Sequence, residues 1–366
     1  MLYAVPLFLA APIAAAPPSL TPLDLLPGGQ AAGAHYVSAD GSFALGAGDS
    51  AAVPDREAAV FRPGLPTLGL GTLSGPSGFS EAFSANTDGS IIVGYTSSPQ
   101  GVQAFRRSGG VMTGLGDIAG GQFFSIAFDC SADASVVVGQ GSGIAGSLAF
   151  RWQNNTMTSL GDLAGGGVSS LANACSFDGS VVVGRGTSAS GREAFRWQNN
   201  TMVGLGDLPG GVFESAASDV SADGLSITGV AHSAFGQEAF LWKNNQMLGL
   251  GDLPGGVYES YAYGISGDGN TVVGLANDDV GQTAFVYTPG RGMRDLRTVL
   301  LEMGVADAAG WRLRLATSAS ADGSVIVGVG TDPFGVTRGF MATLPAPSSL
   351  GVLALGLIGG RRRARR

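Results

Sequence analysis

The chain is expected to be all-β: a seven-bladed β-propeller of four-stranded repeats about 45 residues long, its last blade closed by the N-terminal strand. Three observations lead there. A short motif, S-x-D-G, recurs seven times at nearly even spacing. Each repeat contains four strand-like pieces separated by turn residues. The stretch LTPLDLLPGG, residues 20–29, reads as the tail of a repeat with no body before it.

The motif aspartate sets the register: Asp40, Asp88, Asp133, Asp178, Asp223, Asp268 and Asp322. From Asp88 to Asp268 each spacing is 45 residues. Six residues before each marker lies an alanine (Ala34, Ala82, Ala127 and so on), and six after it a glycine (Gly46, Gly94, Gly139 and so on). A phenylalanine follows in every unit, from Phe61 and Phe105 to Phe340. Repeats of this period make solenoids, propellers or arrays.

Residues 205–249 illustrate one unit. ESAASDVS forms the first strand and runs into the turn Ala222-Asp223-Gly224. Ser and Asp side chains bond the local backbone there, and Gly accepts a positive φ without steric cost. Ala134 replaces that glycine in one copy, so its turn should be strained or differently shaped. The β-branched LSITGVA is the second strand, EAFLWKN the third, and QMLGLGDL, after an Asn-Asn turn, the fourth. The LPGG that follows leads into the next unit.

Four antiparallel strands per unit, seven times over, match a propeller, and the alternative is an open solenoid. The ends decide between them. The last unit supplies three strands, WRLRLATSASADG, SVIVGVG and TRGFMAT, and lacks a fourth. LTPLDLLPGG supplies it, so the two ends of residues 20–343 meet in one blade. Pro22 and Pro66 fall in fourth-strand segments, which places that strand at a blade edge, because proline cannot donate to a ladder. The first strand then faces the central axis.

Both ends of the chain read as addresses. Residues 1–16 end an apolar run in small residues, as a secretory signal does, although a positive n-region is missing. Cleavage is expected near Ala15 or Ala16; the alternative is a short buried segment. Residues 344–366 join Pro345-Ala346-Pro347, an apolar run too short to span a bilayer comfortably, and the arginines Arg361, Arg362, Arg363, Arg365 and Arg366. Such a cluster holds a tail on the cytoplasmic side. Net charge is −8 overall. Without these two ends, 28 acidic residues face 15 basic ones, a net charge of −13. A body this acidic is a poor nucleic-acid partner.

The tail resembles a PEP-CTERM sorting signal of Gram-negative bacteria, with Ala346 where that family usually has glutamate. The resemblance implies processing by an exosortase-type protease and transient anchoring in the membrane through the terminal segment alone. The unit LGDLPGGxxxSxAxxVSxDG, running to AFxW, resembles the HAF-type extracellular repeat over about residues 23–343. That resemblance implies a surface location and a propeller-like architecture, and no reaction.

Catalytic groups are few. His35 precedes a first-strand position and His232 falls in a loop between second and third strands, so both read as surface or strand-end residues. Triads assemble in space, but neither G-x-S-x-G nor H-E-x-x-H occurs. Cys130 and Cys175 share one repeat slot and read as small buried hydrophobes. Export would permit a disulfide, yet equivalent strands of adjacent blades are too far apart for one. The pairs Phe150/Trp152, Phe195/Trp197, Phe240/Trp242 and Phe285/Tyr287 each share one strand face; aromatics of this kind stack on sugars or pack blade against blade, and their repetition favours packing.

The seven motif aspartates read as structural turn residues. A second series, Asp117, Asp162, Asp207 and Asp252, ends the fourth strands. Calcium takes such oxygen ligands, and these four are the residues a calcium site would use, although successive copies are spread around the rim. Apart from that ion no cofactor is expected. From Asp268 to Asp322 the spacing grows to 54, around LRTVLLEMGVADAAGW, where Leu296–Met303 reads as a short helix. This insertion serves a binding face or, the favoured reading, seals the ring beside the closing blade.

These readings converge on an exported cell-surface or extracellular repeat protein without enzymatic activity. Its loop faces would engage exopolysaccharide or other surface proteins. The alternative is a propeller hydrolase or lyase acting on extracellular polysaccharide, with Glu214, Glu259, Tyr258 and Tyr261 as available groups.

Overall fold

A single turn geometry is stamped through the molecule, whose computed structural model describes residues 16–53 and 55–345. In the unit of Asp133, Ser131 Oγ donates to Asp133 Oδ1 at 2.8 Å, and Oδ1 also accepts the Ser135 N–H at 2.9 Å. Ser131 Oγ in turn accepts the Val136 N–H at 3.0 Å. The same three-way arrangement recurs at Asp178 and Asp223. In the second unit Asn86 stands in for the serine, and its Oδ1 takes the Ile91 N–H at 2.8 Å. These donors, the Ser135 N–H foremost, hold the Asp133 carboxyl down at about 2. Ala134 adopts the glycine conformation with φ +49°, against +67° at Gly179, so its turn keeps the common shape at a steric cost.

The described residues contain 28 strands. Five sheets hold four strands each, four of them in sequence order and the fifth joining the N-terminal strand to the last three, and one holds eight. The larger sheet arises because one parallel pairing, Phe124 with Val102, joins two neighbouring runs of four. The asparagine hairpins carry two successive positive φ values, +51° and +59° at Asn154 and Asn155, as a type I′ turn requires.

The repeated alanine, glycine and phenylalanine form one cross-strand row. Ala127 pairs with Gly139, and Gly139 pairs with Phe150. The Phe150 ring lies across the glycine: a Cβ on Gly139 would meet Ile126 O at 1.9 Å and Phe150 Cε1 at 2.9 Å. The phenylalanines are fully buried and pack between sheets; Phe195 meets Val136, Val138 and Ala149 of the preceding one. Trp197 packs at the edge of that same cluster. Blade-to-blade packing is therefore what the aromatic pairs do.

Strand Ser19–Pro22 pairs antiparallel with Thr337–Thr343, Leu20 opposite Ala342 and Pro22 opposite Phe340, at the outer edge of the last sheet. The Leu23 N–H continues the contact to Gly339 O at 2.9 Å, and Arg338 Nε donates to Leu23 O at 3.0 Å. Leu20, Leu23 and Leu26 are buried. Two expectations need correction. The fourth strands are shorter than QMLGLGDL: Gln246–Gly249 ends where Gly251, at φ +79°, turns the chain. Pro66 lies outside its edge strand, which spans only Leu68–Gly69.

The insertion forms a helix, Leu296–Glu302, whose N-cap Asp295 accepts the N–H groups of Arg297 and Thr298. Leu296, Val299 and Leu300 pack with Leu20, Trp311, Phe340 and Leu344. The helix thus seals the side of the sheet that the N-terminal strand completes. No helix among the described residues is long and apolar enough to cross a membrane. Residues 1–15 and 346–366, hence most of the leader and tail with Pro347, Arg361, Arg362 and Arg363, lie outside the described residues; Pro345 is the last one inside.

Candidate functional site

Each first strand slips by one residue against its partner. Ala127 faces Gly139, but the next pair is Asp129 with Val138, and the same shift follows Ala82, Ala172 and Ala217. A β-bulge of this kind re-aims the extra side chain. The extra residues are His35, Phe83, Phe128 and Asn173 in the first four units, then Ser218, Tyr263 and Thr317. All of them line one channel of about 650 Å³. The frame around the channel repeats, and the residues facing into it do not.

Where the residue after the bulge position is polar, it reaches sideways to another unit. Asp129 Oδ1 accepts from Ser84 Oγ at 2.7 Å, and its Oδ2 from the Cys175 N–H at 2.8 Å. Asp219 repeats the device two units on, taking the Ile265 N–H at 2.8 Å and the Val220 N–H at 2.7 Å. Burial pushes the Asp129 carboxyl up. Burial pushes Asp219 up as well, to about 7; the Ile265 hydrogen bond opposes this, and the Asp129 charge adds to it. A carboxyl that titrates near neutrality beside a second one can hold a proton or a cation.

Cys130 and Cys175 are free, buried thiols, so no disulfide joins them. Burial, and then the Asp129 charge, push both above the ordinary thiol range, which makes them poor nucleophiles.

Acidic side chains near the starts of the first strands are engaged with one another's neighbours. His35 Nε2 lies 2.6 Å from Glu81 Oε1, and the Tyr95 hydroxyl donates to Glu81 Oε2 at 2.6 Å. Burial alone would raise Glu81, but His35, Tyr95 and Arg56 together hold it at about 2. Glu214 sits 2.6 Å from Arg192, and Glu259 accepts from Tyr261 at 2.9 Å and from Asn277 at 2.7 Å. The histidine placements are corrected here. His35 lies within the first strand Ala32–Val37 and lines the channel. His232 lies within the second strand Ser226–Ser233, not in a loop, with Nε2 3.8 Å from Glu214.

The second aspartate series staples loops. Asp162 Oδ1 accepts the N–H groups of Leu163 and Thr187, each at 2.8 Å, and Oδ2 that of Ser169 at 2.7 Å. Asp117 and Asp207 do the same with three N–H groups each, and Asp252 takes those of Leu253 and Glu259. Among the described residues no three His, Cys, Asp or Glu side chains gather as a metal would need.

Sequence reasoning passed over Asp129 and Asp219. A signal was present: the position four before each marker reads Tyr36, Ser84, Asp129, Ala174, Asp219, Gly264 and Ser318, five residue types in seven units. Variation at one slot of an otherwise regular repeat is where function departs from frame.

No protein-family model matches the chain, and no curated protein matches its sequence. Solved structures do resemble it. TolB from Acinetobacter baumannii aligns with a TM-score of 0.50 at 12% identity, over 70% of this chain and 63% of that one. The chain therefore spans less than two thirds of that protein's length. A TolB from Agrobacterium tumefaciens aligns with a TM-score of 0.47 at 14% identity, over 76% of this chain and 94% of that one. Prolyl oligopeptidase B from Galerina marginata, bound to a 35mer hydrolysis and macrocyclization substrate, aligns with a TM-score of 0.48 at 8% identity, over 82% of this chain and 47% of that one. At such identities the likeness concerns fold alone, and with the four-stranded antiparallel sheets it marks this chain as an all-β protein of the β-propeller kind.

Proposed function

We propose that the chain is an exported, seven-bladed β-propeller that acts at the cell surface as a non-enzymatic interaction module. In this reading the eight-stranded sheet is two blades bridged by one pairing, residues 1–16 direct export, and residues 344–366 are a PEP-CTERM-like sorting signal for an exosortase-type protease. The likeness of the repeat to HAF-type extracellular units supports the location.

One observation carries the interaction reading: the carboxylates that repeat are committed to the frame. The motif aspartates brace their turns and the second series staples its loops to backbone N–H groups. What varies from unit to unit is the channel lining and the loops, as in a module whose variable surface meets a partner such as exopolysaccharide or another surface protein. Fractionation of cells expressing the full chain tests this. Recovery with the envelope or the extracellular matrix supports it, and a cytoplasmic pool alone overturns it.

The convergence of unit-varying polar groups in the channel favours a second reading, a hydrolase or lyase for extracellular polysaccharide. Asp219, with its carboxyl near 7, has the character of a general acid at neutral pH. Release of reducing or unsaturated ends from polysaccharide, lost in Asp219→Asn, would establish it.

A further inference from the structure

The channel presents a charge problem that its own residues leave unanswered. Asp129 and Asp219 project at the same repeat position from units two apart, and Asp268 stands at the turn end of the same cavity. No lysine or arginine lines it. The one basic candidate, His35, lies against Glu81 at 2.6 Å. Half-buried carboxylates without a countercharge are costly even when they accept hydrogen bonds, and here the Asp129 charge also disfavours ionisation of Asp219.

Among small and polar residues, the wall also carries several aromatic rings. Phe83 and Phe128 sit with ring centroids 5.5 Å apart, and Phe177 and Tyr263 face the same space. Phe177 takes the place of the small residue of the S-x-D-G turn, and it is 56% exposed although it lines a cavity. Nothing in the fold requires a large ring there, since alanine or glycine fills that slot in five other units.

We propose that the channel binds a small organic cation, an ammonium with apolar substituents, between the Asp129 and Asp219 carboxylates and the Phe83, Phe128, Phe177 and Tyr263 rings. The carboxylates supply the countercharge, and the ring faces supply cation–π attraction and exclude water. A metal ion fits less well. Calcium takes six to eight oxygens, about twice what two carboxylates can offer even if both bind through both oxygens, and each of these carboxylates already accepts a backbone N–H. A neutral sugar would leave the charges unanswered. The site holds independently of the surface location proposed above, so failure of either leaves the other standing.

Ionisation of Asp219 gives the site a pH signature. The titratable groups sharing its cavity are Asp129, Asp268, Tyr36, Tyr263, His35 and the thiols of Cys130 and Cys175. Both tyrosines and both thiols stay protonated, because burial pushes all four up. Since the Asp219 carboxyl titrates at about 7, cation binding should tighten as pH rises through neutrality and should release a proton below it.

The test is calorimetric titration of the full chain with choline chloride, and in parallel with its neutral isostere in which a quaternary carbon replaces the nitrogen. Choline is expected to bind and the isostere to bind at least about tenfold more weakly. Asp219→Asn should weaken choline by about tenfold and abolish the pH dependence. Phe177→Ala, at an exposed ring that the fold does not need, should weaken it roughly two- to fivefold. Asp129→Asn replaces one of the two acceptor oxygens that tie neighbouring units with an amide donor; should it fail to fold, the Asp219 and Phe177 variants decide. No saturable choline binding, equal binding of the isostere, or unchanged affinity in both variants would overturn the proposal. Displacement of choline by calcium at equal affinity would overturn it in favour of a metal site.

Discussion

The backbone N–H of Ala321 donates to the carbonyl oxygen of Ala39 at 2.9 Å, tying the last S-x-D-G turn of the chain to the first. The same bond links Thr87 to Ala132, Ala132 to Phe177, Phe177 to Ala222 and Ala222 to Gly267. Asp268 then reaches Ala321. The turns therefore brace one another around the channel mouth, and the ring closes through residues 282 positions apart.

Removal of residues 20–29 should lower the melting temperature sharply. The segment buries Leu20, Leu23 and Leu26, each roughly 1.5–3 kcal/mol when fully buried, and completes the last sheet. A drop of about 10 °C or more is expected by calorimetry. An unchanged melting curve would mean that the N-terminal strand does not close the ring.

Gly179→Ala and Ala134→Gly change the same turn position in adjacent units and should behave differently. At Gly179 a Cβ meets Val136 Cβ at 2.8 Å on a backbone with φ +67°. Strain and overpacking together should destabilise by about 2–4 kcal/mol. Ala134→Gly relieves strain but loses a buried methyl and stiffness of the unfolded chain, so it should stay within about 1 kcal/mol of wild type. Urea denaturation distinguishes the two.

Asp219 should make the protein less stable as pH rises. Its carboxyl ionises near 3.8 when unfolded and at about 7 when folded, so the folded state binds the extra proton between those values. Stability from this group is fully present below the lower value and is lost as pH rises through the upper. The carboxyls held low, Glu81 and Asp133 among them, act in the opposite sense, so the readout is the difference. Between the two sides of that window, denaturation midpoints of wild type should shift downward relative to those of Asp219→Asn. Equal slopes would show that burial does not perturb this carboxyl.

Calcium should leave the melting temperature unchanged relative to a chelator, because Asp117, Asp162, Asp207 and Asp252 already accept backbone N–H groups. Asp162→Ala, by contrast, strands three donors and should cost about 2–4 kcal/mol. A calcium-dependent rise in melting temperature would restore the metal reading for this series.

Deletion of residues 345–366 should release the protein from the cell envelope into the medium. Cell fractionation with an antibody to the propeller reads the outcome. An unaltered distribution would defeat the sorting reading of the tail.

Local chemistry was legible because the repeat itself is local. The serine, aspartate and glycine of each turn act within five residues of one another, and the row Ala127, Gly139 and Phe150 lies within a single unit. LTPLDLLPGG could be assigned to the last sheet because a missing fourth strand is a matter of counting. His232 was misplaced because strand two runs further into the loop than its β-branched core suggests, and Pro66 because that edge strand frays to two residues.

Sequence by itself determined the four-stranded unit, its turns and the strand that completes the last one, since each depends on contacts within a period or on a count of periods. Only the tertiary structure decided what the units enclose. Asp129 and Asp219 are ordinary surface-type residues in the sequence, and their shared cavity and raised carboxyls exist because a one-residue bulge turns each first strand inward. The rotation from one sheet to the next then brings positions 90 residues apart into one electrostatic field. That convergence is a property of the closed ring, and no window along the chain contains it.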